Sequence, residues 1–149
     1  MTTLAFDGTT LAVDKQFTWG STPHQVTKLY KCNKEVFMAG CGDLIDLQQM
    51  ANFIAEGMKG KSPKIKKGSE FMILNTKQKK LYFVDHRLVL HEMQAPLTLG
   101  SGGDFALTGM KMGLDAVSAI RLAAKMDVYT GFGVDSVDIN GKLNSEEIK

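Results

Sequence analysis

A chain of 149 residues, 44% of them apolar and with a formal net charge of +2, is long enough to bury a real core. Its near-balanced charge gives no whole-protein field that would draw nucleic acid or an acidic partner. No apolar run approaches the roughly 18 residues of a membrane helix, and no basic-then-apolar leader is present. The sequence therefore reads as a single cytoplasmic domain over 1–149, away from membranes, with Cys32 and Cys41 as reduced thiols.

In chain order, Thr2 to Phe6 predicts a strand ending at Asp7-Gly8, a strong hairpin turn signal. Thr10 to Val13 runs back as the second strand. Val26 to Cys32 and Glu35 to Ala39 predict another pair, turning at Asn33-Lys34. Asp43 is an N-cap candidate. Behind it Leu47, Met50, Ala51, Ile54 and Met58 recur at helical spacing, which predicts an amphipathic helix over 43–58. The run "KGKSPKIKKG" then breaks the helix. Phe71 to Leu74 and Leu81 to Val84 read as strands around the polar turn "NTKQKK", with further short strands at Arg87 to Glu92 and Leu97 to Leu99. A glycine turn and an aspartate-capped helix follow, through about Met112. Asp115 caps a third helix, with Ala116, Ala119, Ile120 and Ala123 on one face. "VDSVDI" closes as a strand. Antiparallel hairpins with helices gathered outside predict two sheets packed face to face and covered by helices.

Chemistry concentrates on a few residues. Threonine at position 2 is small enough for Met1 to be removed. That would leave a hydroxyl and an α-amine on one residue, the amine titrating at about 7.7–8.0, so nucleophile and base could be one residue. Taken alone, Thr2 is more simply an ordinary terminal residue. Lys28 in a strand is ordinarily a snorkelling surface lysine; pointing inward with Asp14 as counter-charge, it would favour a deprotonated nucleophile. Gly40 is either a turn glycine or the donor of a backbone N–H to an oxyanion near a helix start.

Five stretches then carry a resemblance: "TTLAF" at 2–6, "AVDKQFT" at 12–18, "KLYKCNKEVFMAGCGD" at 28–43, "LGSGGDFA" at 99–106 and "AAKMDVYTGFGVDSVDI" at 123–139. In this order they resemble the proteasome β-type subunits and the bacterial HslV peptidase, which are N-terminal-nucleophile (Ntn) threonine hydrolases. The resemblance implies an α+β fold, a four-layer αββα sandwich of two mainly antiparallel sheets. It implies Thr2 as nucleophile after loss of Met1, Asp14 and Lys28 as the charge pair beside it, and the Gly40 N–H in the oxyanion hole. It further implies Ser101 as support for the terminal amine, with Asp127 and Thr130 behind it. Thr18 would align an extended substrate, and Met38 would line the pocket for the side chain before the cut, with a tolerant apolar preference. Peptides or unfolded protein would be the substrate, a homo-oligomeric ring the assembly, and an ATP-driven unfoldase the supplier. No cofactor and no metal are implied. Lys28 and Gly40, on adjacent strands, keep the family's register, and a one-residue slip would turn the lysine to the other face.

The chain departs from the family between helix 43–58 and Phe71. A second long helix is usual there, and this chain has only a lysine-rich loop, so one helical layer is expected to be reduced. The loop after Asp14 is shortened and carries Pro23. If Met1 is retained, the expectation becomes a catalytically idle scaffold subunit; an Ntn amidohydrolase acting on a small amide is the other alternative. Rival motifs fare worse. "GSGGDF" lacks the third glycine of a dinucleotide loop, and Asp104 would repel phosphate. "SVDINGKLNSEE" begins with Ser136 where a calcium loop needs aspartate, and reads better as a terminal turn. The lysines from 59 to 67 have no interleaved aromatics for stacking on bases. His86, His91 and the two cysteines have no zinc spacing.

Overall fold

The computed structural model describes residues 2–148. It contains twelve strands and three helices among those residues. The first five-stranded sheet has the order β10 (Leu97–Gly100), β1 (Thr3–Phe6), β2 (Thr10–Asp14), β11 (Gly133–Asp138), β12 (Leu143–Glu147). The second has the order β5 (Leu29–Lys31), β6 (Val36–Cys41), β7 (Glu70–Asn75), β8 (Lys80–Val84), β9 (His91–Met93). All pairings in both sheets are antiparallel. A separate ribbon joins β3 (Gln16–Trp19) to β4 (Thr22–Gln25).

Strand alternation sorts the side chains into layers. Leu4, Phe6, Leu11 and Val13 of the first sheet meet Phe37, Ala39, Met72, Leu74 and Leu81 of the second, forming the central core. On the outer face of the first sheet, Ala5, Ala12 and Val134 pack with Ala106 of α2 (Gly103–Lys111) and with Ala116, Ala119, Ile120 and Ala123 of α3 (Ala116–Met126). These alanines let two helices lie close to the strands. On the outer face of the second sheet, Met38, Phe71, Ile73 and Val84 are covered by Leu47, Met50, Ala51, Phe53 and Ile54 of α1 (Leu44–Ala55). The arrangement is the expected four-layer αββα sandwich, and the reduced layer is the one built by α1. The lysine-rich loop runs there instead of a second helix, and its one apolar residue inside the lysine run, Ile65, is buried in the α1 cluster.

Local signals account for most element ends. Asp43 and Asp115 cap α1 and α3, their carboxylates accepting from Ile45 N and Ser118 N. Asp7 accepts from the N–H groups of Thr9 and Thr10, closing the first hairpin around Gly8. Three expectations need correction. Asp104 does not cap α2: Gly102 occupies the N-cap without a side-chain bond, and Asp104 lies in the first turn, where its charge still suits the helix dipole. The segment 87–90 forms a turn and coil, leaving only His91–Met93 as strand. The terminal turn at Asp138 leads into a strand, β12, because Asp138 accepts from Asn140 N and Lys142 N and folds the chain back onto β11.

Candidate active site

Thr2 stands immediately before β1 and is 3% exposed. Lys28 stands immediately before β5, 2% exposed, and β5 pairs with β6 through Leu29↔Ala39. Continuing that register by one residue sets Lys28 opposite Gly40, as the sequence predicts. The Lys28 Nζ donates to Thr2 Oγ1 at 2.9 Å and to Asp14 Oδ1 at 2.9 Å. Asp14 ends β2 and is fully buried. Its Oδ1 also accepts from Thr3 N at 3.0 Å, while Oδ2 accepts from Gln16 N at 3.2 Å and Gly131 N at 3.1 Å. Four donors therefore fix this carboxylate, which is how a charge is tolerated inside a protein. Burial raises the Asp14 carboxyl above the usual carboxylate range, against the pull of Lys28. Burial lowers the Lys28 ammonium below the usual lysine range, against the pull of Asp14.

A second group lies on the other side of Thr3. Thr3 Oγ1 and Thr130 Oγ1 are hydrogen-bonded at 2.6 Å. Thr130 Oγ1 and Ser101 Oγ bond Asp127 Oδ2 at 2.7 and 2.6 Å, and Asp127 Oδ1 accepts from Tyr129 N. For Asp127 partial burial would raise the pKa, but the bonds from Ser101 and Thr130 outweigh it and hold the carboxyl below its ordinary value. Two glycines permit this packing. A Cβ on Gly100, whose φ is +92°, would sit 1.8 Å from the Thr2 carbonyl oxygen; one on Gly102 would sit 2.2 Å from Thr3 Oγ1.

The structure thus joins Thr2 and Asp14 through Lys28, and joins Ser101, Asp127 and Thr130 to them through Thr3. Gly40 is buried in β6, where a Cβ would lie 2.8 Å from Phe71 Cδ1. Thr18 lies on β3, its Oγ1 accepting from Gln16 Nε2, and it borders cavities of about 400 and 730 Å³ on the two sides of the strand. Met38 stands differently from its expectation as a pocket lining: it is fully buried in the α1 cluster and presents no surface to solvent. Its alternation with Ala39 turns it toward the helix.

Two residues escaped the sequence reading. Thr3 links the two polar groups, and the only signal for it was the threonine doublet. Gln16, 7% exposed, ties Thr18 to the Val128 carbonyl through its amide; a polar residue beginning an exposed ribbon gave no signal. The two thiols are poor candidates for a nucleophile. Burial pushes Cys41 up to about 11 and Cys32 up to about 12, so both stay protonated at neutral pH. Among the described residues no group of His, Cys, Asp and Glu has the arrangement of a metal site, and no helix is long and apolar enough to cross a membrane.

The architecture is a proteasome-type Ntn fold. The structure of Thiobacillus denitrificans BPH in complex with epoxomicin superposes with a TM-score of 0.69, covering 99% of this chain and 98% of that one at 15% identity. The chain is similar in sequence to proteasome subunit beta 1 of Thermococcus gammatolerans, with 28% identity over 169 aligned positions, 89% of this chain and 84% of the relative. No family model matches the sequence. The resemblance to proteasome β-type subunits is borne out by these two likenesses.

Proposed function

We propose that this chain is a threonine peptidase that cleaves peptides or unfolded protein, with Thr2 as nucleophile once the Met1–Thr2 bond is cut. Met1 itself lies outside the described residues. The observation that carries the reading is the buried chain Thr2 Oγ1–Lys28 Nζ–Asp14 Oδ1. A lysine taken out of water and aimed at a hydroxyl has no structural need to be there; an apolar residue would fill the space at less desolvation cost.

In the proposed mechanism the free Thr2 amine takes the hydroxyl proton, directly or through water, as Oγ1 attacks the scissile carbonyl. Lys28 stabilises the developing alkoxide, and Asp14 holds the ammonium in place. The Gly40 N–H receives the oxyanion, a type of contact worth about 10²–10³ in rate. The acyl ester forms as the leaving amine takes the proton, and water then hydrolyses it. Ser101, held by Asp127 and Thr130, orients the amine. The four-layer fold and the proteasome relative support assembly into a homo-oligomeric ring of this single domain. Delivery of substrate by an ATP-driven unfoldase in the cytoplasm is part of the same proposal.

The test combines intact-protein mass, a fluorogenic peptide and an epoxyketone of the epoxomicin type. The expected result is loss of Met1, turnover, and one covalent adduct, with turnover and adduct both absent in Thr2→Ala. Processed protein that shows neither would sink the peptidase reading, and retention of Met1 in the folded protein would mark an idle subunit.

A further inference from the structure

The turn from β6 into α1 carries a demand that its sequence does not meet alone. Gly40 is the penultimate residue of β6, and an oxyanion donor works only where its N–H is held fixed. Yet Gly40 and Gly42 flank Cys41, and glycine is the residue with most backbone freedom. The β6–β7 ladder ends at Cys41↔Glu70. Continuing that register sets Gly42 opposite Ser69, and there side-chain bonds replace the ladder. Ser69 Oγ accepts from Asp43 N at 3.3 Å and donates to Asp46 Oδ2 at 2.8 Å. Asp46 Oδ2 also accepts from Lys66 N at 3.1 Å. Gly42, with φ of +113°, makes the approach possible: a Cβ on it would sit 2.4 Å from Ser69 Oγ.

Ser69 and Asp46 are each 2% exposed. Asp46 lies in the first turn of α1, where a side chain leans toward the helix N-terminus and a carboxyl group suits the dipole. Burying that group among neutral donors costs more desolvation than an apolar residue would, so what it supplies is position rather than stability. Both of its donors come from the end of the lysine-rich loop. Ser69 N donates to Lys66 O at 3.1 Å, which closes this end as a tight turn and makes the two donors one unit. A second tie, Lys66 Nζ to Asp43 Oδ2 at 2.8 Å, lies outside it; the Lys66 side chain is 72% exposed, and such a pair adds little.

We propose that Ser69 and Asp46 are positioning residues: they latch the β6–α1 turn and so hold the Gly40 N–H where the oxyanion forms. Neither touches substrate. The inference rests on the peptidase reading for its catalytic consequence, but half of its test needs no catalysis. Amide hydrogen exchange followed by NMR reads the latch directly, because the acceptor of Asp43 N is Ser69 Oγ. The Asp43 amide is expected to be protected in the wild-type protein and to exchange about tenfold faster or more in Ser69→Ala. It should be unchanged in Lys66→Ala, which keeps its main-chain N–H. An unprotected Asp43 amide in the wild-type protein, or equal exchange in Ser69→Ala, overturns the latch.

In processed enzyme, Ser69→Ala and Asp46→Leu are expected to lower kcat about 10- to 100-fold with KM within about twofold, the pattern of an interaction made only in the transition state. Asp46→Asn offers one amide oxygen that can accept both bonds and is expected to retain kcat within about threefold. A peptide boronate, whose adduct with Thr2 Oγ is tetrahedral and anionic, should lose affinity in Ser69→Ala in step with kcat. The parent peptide amide should bind equally to the two proteins. Faster exchange with kcat and boronate affinity unchanged removes the positioning role and leaves the peptidase standing. The expected exchange pattern without hydrolysis by processed wild-type protein removes the peptidase, and the positioning role with it, and leaves only the latch.

Discussion

Two carboxylates flank Thr3, each bonded to hydroxyl or ammonium donors, yet they titrate in opposite directions. Asp14 is fully buried, accepts four hydrogen bonds including one from an ammonium, and is still raised above its ordinary pKa. Asp127 is half-buried, faces two neutral hydroxyls, and is lowered. Exclusion of water decides the difference. At Asp14 the lost hydration outweighs even a charged partner; at Asp127 enough solvent remains for modest donors to win. The buried group is suited to fixing an ammonium beside the Thr2 hydroxyl, the half-exposed one to holding hydroxyls in register without a large desolvation cost.

The comparison can be broken hardest at its buried end. Lys28→Met leaves Asp14 without its cation inside the protein, and stability is expected to fall by about 3–5 kcal/mol, read from denaturant midpoints. Peptide turnover should fall about 10³-fold. The double variant with Asp14→Asn recovers much of the stability and none of the turnover, which separates the two roles. Next comes Gly102→Ala. Its backbone is ordinary, but the new Cβ drives into Thr3 Oγ1 and crowds Thr130 Oγ1. A loss of about 1–3 kcal/mol from overpacking and reduced turnover at unchanged fold are expected from melting curves and kcat. Asp127→Asn, at the half-exposed end, should cost about 1 kcal/mol or less. It should lower kcat about 10- to 100-fold through misplacement of Ser101; a stability loss as large as that of Lys28→Met would erase the distinction drawn here.

Titration sharpens the same contrast. A lowered folded pKa at Asp127 means its contribution is present above the unfolded carboxylate value of about 3.9 and is lost as pH falls through the folded value. At Asp14 the sign is reversed: the folded state holds its proton more readily than the unfolded one, so this contribution grows as pH falls between the two values. At alkaline pH, Lys28 gives up its proton below the ordinary 10.5. Its contribution to stability therefore rises with pH across that window, while activity that needs the ammonium falls. A kcat/KM profile is expected to rise through about pH 7.7–8.0 with the terminal amine and to fall again before pH 10.5. A profile flat to pH 11 would remove the ammonium from the mechanism.

How legible this was depends on whether a residue's signal is local. Asp43, Asp115 and Asp7-Gly8 were readable because caps and tight turns act within three residues. The core strands were readable because both of their faces are apolar, which leaves short continuous apolar runs between turns. β3 and β4 were missed because their residues are mostly exposed and Pro23 reads as a breaker; an edge ribbon tolerates it. β12, "LNSEE", has no apolar alternation and exists by pairing with β11. The contacts of Lys28 with Thr2 and Asp14 had no local signal, since they join residues 26 and 14 positions apart; the family resemblance brought them together. Met38 shows the limit of that route. Its place in a motif suggested a pocket wall, whereas the packing of α1 buries it.

One feature of the glycine turn bears on how the protein matures. Gly100 presses against the Thr2 carbonyl, and Thr2 itself is 3% exposed. An aminopeptidase must grip the chain on both sides of the bond it cuts, and in the folded protein this grip is denied on the threonine side. Removal of Met1 by another enzyme, where the proposed function needs it, would therefore have to precede folding, while the chain is still extended.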